Sequence, residues 1–175
     1  RPDELMLVYG VMEDSTALWL IGQNTFQMFK LSPSESVLEE QIAQLRDLMG
    51  TGDKTRGAKI RRRNKQRKQD PFVQASYHLY NELLPAKVRS FLAAPYTVYV
   101  VPTGPLYTLP FEALVTKSHN NYNDIHYLIE DVPIAYLSSA SLLKTLRQAQ
   151  QRRQKTAPYP LLAFANPVYQ AEQTS

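Results

Sequence analysis

Histidine is the side chain best suited to moving a proton near neutral pH, and this sequence holds three: His78, His119 and His126. His119 lies within the polar run KSHNNYND, residues 117–124, and His126 lies just beyond it. A Ser118–His119 or Asp124–His126 pairing would be the start of a nucleophile–base arrangement. The sequence offers no G-x-S-x-G elbow to present a serine, and near neighbours in a chain rarely converge as nucleophile and base, so a surface loop is the better reading. Glu130 and Asp131 are adjacent carboxylates; in a strand they face opposite sides and cannot work as an acid–base pair. His78 sits among apolar positions of a helical pattern and reads as a packing residue, not a ligand. The run Gly50-Thr51-Gly52-Asp53-Lys54-Thr55 fails as a phosphate cradle, because Asp53 separates the glycine from the lysine and the run comes after a helix instead of a strand. No cysteine is present, which removes disulfides, thiolate metal sites and a thiol nucleophile from these residues. The residues themselves therefore point to no catalytic, cofactor-binding or metal-binding group.

Whatever the chain does must then be organised by its framework, and the centre of that framework is the stretch from Tyr96 to Thr116. Val98, Tyr99, Val100 and Val101 form an apolar, β-branched run without polar alternation, as expected of a central strand covered on both faces. Pro102, Gly104 and Pro105 end it in a stiff loop, at the carboxyl edge where open α/β sheets build their sites. Pro110 suits a first helical position, and Phe111 to Val115 are expected to form one or two apolar helical turns.

The run VYVVPTGPLYTLPFEAL resembles the "VPDGPLHYLPFEAL" signature of CHAT domains, a caspase-like cysteine peptidase family in the clan of caspases and separase. YLIEDVPIAYLSSASLL, from Tyr127 to Leu143, and LLAFANPVY, from Leu161 to Tyr169, fit the same pattern in the same order. Thr103 stands where the family usually carries an acid, and Tyr107 where it often carries a histidine. The resemblance implies a bacterial peptidase that cleaves a protein partner, and the absence of cysteine fits a cytoplasmic origin. It also implies that the catalytic histidine and cysteine lie on later strands, so that this chain is the amino-terminal portion of such a domain and is inactive alone. The opening Arg-Pro agrees with a segment of something longer. The rival reading is a non-catalytic interaction module.

The rest of the chain is read around that unit. Leu5 to Met12, Thr16 to Ile21 and Thr25 to Leu31 are three short apolar runs, expected to form a β-meander over residues 1–31 in which Trp19 and Phe26 pack in the core or across strands. Over 32–50 the period changes. Ser36 with Glu39 reads as a capping box, Leu38, Ile42, Leu45 and Met49 share one helical face, and Gly50 occupies the left-handed cap position. Residues 51–70 hold nine basic residues against two acidic ones, a local charge of +7. The remaining eleven basic and fourteen acidic residues leave the rest at −3, so the net +4 of the chain belongs to one segment. That segment reads as a disordered, solvated surface loop whose sharper alternative is a contact to nucleic acid or an acidic partner through 54–68.

Residues 71–175 are expected to be the first half of a caspase-like α/β domain. Asp70 caps a helix with Pro71 at its first position, a second short helix runs from Ala86 to Leu92, and Ile134 to Leu137 and Leu161 to Ala165 are further buried strands. A helix capped by Ser138 or Ser139 should turn Leu142, Leu143 and Leu146 to the sheet. The fold class is thus α/β, a parallel sheet flanked by helices and preceded by an antiparallel meander. Its open edge calls for the remaining half of the sheet from the same or another chain. No stretch approaches the apolar length of a membrane span, no secretory leader opens the chain, and no cofactor is indicated.

Overall fold

Apolar residues crowd positions 5–11 and 17–21, so these strands can bury side chains on either side of a sheet, and the fold uses both faces. In the computed structural model, which describes residues 3–50, 70–92, 97–117 and 125–152, three strands open the chain: β1 (Glu4–Val11), β2 (Thr16–Gly22) and β3 (Phe26–Leu31). They pair antiparallel, with Val8 opposite Trp19 and Trp19 opposite Met28. The chain then forms helices α1 (Glu35–Leu48), α2 (Pro71–Leu83) and the single turn α3 (Ala86–Arg89) before entering β4 (Thr97–Val101). β4 lies parallel to β1, Glu4 against Thr97 through Val8 against Val101, so the meander continues the α/β sheet. Two 3-10 turns, Gly104–Thr108 and Phe111–Ala113, lead to the small pair β5 (Val115–Lys117) and β6 (His126–Tyr127). The turn α4 (Leu128–Asp131), strand β7 (Ile134–Tyr136) and helix α5 (Ala140–Arg152) come next. The main sheet has the order β3-β2-β1-β4-β7, mixed in direction, with β7 parallel to β4. Its α/β class and antiparallel lead-in are those the sequence implies.

The larger core lies on one face. Leu5, Leu7 and Tyr9 of β1, Leu18 and Leu20 of β2 and Val98 and Val100 of β4 meet Leu38, Ile42 and Leu45 of α1 and Leu79 and Leu83 of α2, all buried. The opposite face is covered over β1, β4 and β7, where Leu142 and Leu143 of α5 pack on Met6, Val101 and Leu137. β4 is thus covered from both sides as expected, although the middle strand of the five is β1.

Local expectations fare unevenly. Asp70 caps α2 by accepting the Phe72 N–H at 2.8 Å, with Pro71 next, and Gly50 takes the left-handed backbone at φ +77°. The cap of α1 is Ser34, whose Oγ accepts the Val37 N–H; Ser36 lies inside the helix. The helix starts early because Glu35 N–H is held by the Met12 carbonyl at 3.0 Å, anchoring the first turn to the end of β1. Met49 is 39% exposed, outside the buried stripe. Phe26, opposite Ile21 on β2, is 71% exposed and so lies outside the core, because among the described residues no helix covers that part of the sheet. Leu146 also faces solvent. The basic segment 51–69 and the run Leu161–Ala165 lie outside the described residues.

Candidate functional site

Parallel strands β4 and β7 end together, and the loop leaving β4 fixes the shape of that edge. The β1–β4 ladder ends at Val8 and Val101. Two residues later the Thr103 hydroxyl replaces the backbone as partner: it donates to the Tyr9 carbonyl at 3.2 Å and accepts the Val11 N–H at 2.9 Å. Gly104 then turns at φ +53°, a backbone region costly for side chains; an added Cβ would also meet Glu35 Oε1 at 3.4 Å and Val11 Cβ at 3.6 Å. The loop is consequently fastened to the end of β1 and the start of α1. Leu106 and Leu109 point into the core, while Tyr107 stands 61% exposed on the rim.

Pro110 does not open an α-helix. Phe111–Ala113 is one 3-10 turn, and the chain passes at once into β5. The buried Phe111 ring packs 5.4 Å from the Tyr9 ring and 6.4 Å from the Tyr136 ring, so burial favours the compact turn. Tyr136, the last residue of β7, closes the edge. Its hydroxyl accepts the Phe111 N–H at 2.9 Å and donates to the Glu112 carboxylate. Partial burial, then the bond to Glu112, raise the Tyr136 phenol above its ordinary pKa, keeping it a donor at neutral pH. From beneath, the fully buried Ser76 of α2 donates to the Ala113 carbonyl at 3.1 Å and accepts the Val115 N–H at 2.8 Å.

The two described histidines, His78 and His126, sit apart from this edge's bonding. His78 is on the solvent side of α2, its ring 3.4 Å from Glu82 at i+4, so it is not a packing residue. The acid four residues on is plain in the sequence and is the signal that reading missed. His126 is bracketed by Glu130 at 3.3 Å and Asp131 at 3.0 Å. These two acids occupy a helical turn where a strand reading had them facing apart; Glu130 also accepts the Tyr127 N–H at 2.7 Å, closing that turn. Each ring nitrogen meets a different carboxylate, so the three groups surround the ring without converging on one point. Among the described residues no group of three or more His, Asp or Glu is arranged to hold a metal ion, and neither described histidine has a serine or threonine hydroxyl as a side-chain partner. Ser118, His119 and Asp124 lie outside the described residues.

An α/β sheet whose parallel strands end at a stiff proline-glycine loop, with the first turn behind it locked to the neighbouring strand, defines a scaffold built to hold groups at its carboxyl edge. Residues 73–175, more than half of the chain, match the CHAT domain, and the chain belongs to that family of caspase-like, peptidase-related domains. Curated proteins give no match. Among solved structures, the PilM–PilN type IV pilus biogenesis complex aligns over 78% of this chain at 16% sequence identity and a TM-score of 0.31. The chain spans 36% of the length of that neighbour. No helix among the described residues is long and apolar enough to cross a membrane.

Proposed function

We propose that this chain is the amino-terminal portion of a CHAT-type cysteine peptidase that cleaves a protein partner, and that it supplies the sheet on which a histidine and a cysteine from further sequence are mounted. The observation that carries the reading is the parallel β4–β7 pair, whose carboxyl ends are fixed by Thr103 on one strand and by the Tyr136–Phe111 contact on the other. A thiolate attacking a peptide carbonyl and a histidine serving as its base must be held within hydrogen-bond reach, which favours residues leaving adjacent strands of a rigid sheet. The 175 residues themselves contain no thiol. Their part is to orient, with Tyr107 and Tyr136 offering ring surface on the rim for an extended peptide.

The test compares the intact protein with the 175-residue chain. A cysteine-directed electrophile should label one thiol in the intact protein, block its cleavage of a protein substrate, and leave the chain alone unlabelled. An intact protein that neither labels nor cleaves would replace the peptidase with a non-catalytic interaction module on the same sheet.

A further inference from the structure

Among the described residues, strand β3 is the outermost strand of the sheet and pairs on one side only. The turn bond from Gly22 N–H to the Thr25 carbonyl sets the phase of the β2–β3 ladder. With alternate residues bonding inward, Gln27, Phe29 and Leu31 spend their backbone groups on β2, and Phe26, Met28 and Lys30 direct theirs to the open edge. The same three side chains are exposed on the uncovered face of the sheet, Phe26 at 71% and Met28 at 61%. Free backbone and exposed apolar surface therefore coincide on three alternate residues.

The occupant these residues fit is a second copy of the strand itself. An antiparallel pair related by a two-fold axis at Met28 sets Met28 against its own copy and Phe26 against Lys30 of the other copy, twice over. Each of those facing pairs exchanges both backbone bonds, giving about six inter-chain hydrogen bonds. Lys30 then meets an aromatic face, a favourable cation–π match, and β3 contains no acid to disturb it. Lysine on an edge strand commonly discourages pairing. In this register the two lysines are offset by four residues, roughly 14 Å along the strand, beyond the ~8 Å screening length of physiological salt. We propose that β3 joins two copies of this chain edge to edge, making one continuous sheet with Met28 on the two-fold axis.

Light scattering coupled to size exclusion on the 175-residue chain should report twice the 20.0 kDa chain mass, falling to the single mass on dilution. Met28→Lys and Met28→Glu each place like charges opposite one another and should each run as a monomer. Mixed in equal amounts, the two variants should recover the doubled mass, because residue 28 meets only residue 28. Circular dichroism of each variant separates lost pairing from lost folding, and Phe26→Glu, which faces Lys30 of the other copy, should keep the doubled mass. A wild-type chain that stays at the single mass at high concentration, singly charged variants that remain paired, or folded variants whose mixture fails to pair would overturn the proposal. The first of these outcomes would leave the edge to some other strand.

Discussion

Replacing Ser76 with alanine removes one oxygen and takes the partner from two backbone groups, one of them buried. The Ser76 hydroxyl is the bridge between the Ala113 carbonyl and the Val115 N–H, at 3.1 and 2.8 Å, and Ser76 and Val115 are both 0% exposed. Leaving a buried donor unpaired costs roughly 1–3 kcal/mol, and the half-buried Ala113 carbonyl adds less because water can reach it, so Ser76→Ala should destabilise the fold by about 1–4 kcal/mol, a large share of the ~5–15 kcal/mol typical of a domain. Trp19, the single tryptophan, packs half-buried over Gly10 and serves as the fluorescent reporter of urea unfolding. With a urea slope of roughly 1–3 kcal/mol per molar, the midpoint should fall by about 1–2 M. The control is Ser90→Ala: that hydroxyl donates to the Lys87 carbonyl at the surface, and its loss should stay within about 0.5 kcal/mol. Hydrogen exchange localises the effect, since the Val115 amide should lose protection before the amides of β1. A Ser76→Ala midpoint matching that of Ser90→Ala would refute the reasoning, showing that the two groups find other partners.

Three further outcomes are expected. Thr103→Val, close in shape, should cost about 1–3 kcal/mol and speed exchange of the Val11 amide, because it removes the partner of a backbone donor at the end of β1. Gly104→Ala should destabilise by roughly 1–2 kcal/mol through its left-handed backbone, measured by the same urea titration, whereas Gly50→Ala, with open space around it, isolates the backbone contribution alone. Glu4 bonds Arg147 of α5; burial would raise its pKa, but the arginine's hydrogen bond and charge prevail and hold it below the ordinary 4.5. Its stabilising contribution is present above that value and lost as pH falls through the folded pKa, so acid should loosen α5 and Glu4→Gln should flatten this part of the stability profile.

Patterns that depend on local chemistry were legible without coordinates. The β-branched run 98–101, the Asp70-Pro71 start of α2 and the apolar run of β1 each depend on neighbours in the chain, and each element stands where those neighbours require. The shape of the edge was less legible because distant residues decide it. The turn at Phe111 is set by contacts with Tyr9 and Tyr136, 102 and 25 residues away in number, and the cap of α1 by a hydrogen bond from Glu35 to Met12. Glu130 and Asp131 were misplaced for a related reason: a four-residue helix is too short to show a period, and it is closed by Glu130 reaching back to Tyr127. The exposure of Phe26 turns on which strand ends up outermost, a property of topology that no local pattern encodes. Of the candidate site, the loop after β4 was visible in its prolines and glycine, but the Thr103 clasp and the Ser76 bridge were not, since a lone hydroxyl in a sequence gives no hint of its remote partners.

The Thr103 hydroxyl has a mechanical meaning as well. It grips β1 on both sides of Gly10, through the Tyr9 carbonyl and the Val11 amide, while Met12 in the next position anchors the first turn of α1. Hairpin, helix and rim loop thus share one rivet. A tug on the opening hairpin is handed straight to the loop after β4, so the opening strands and that loop should move as one body.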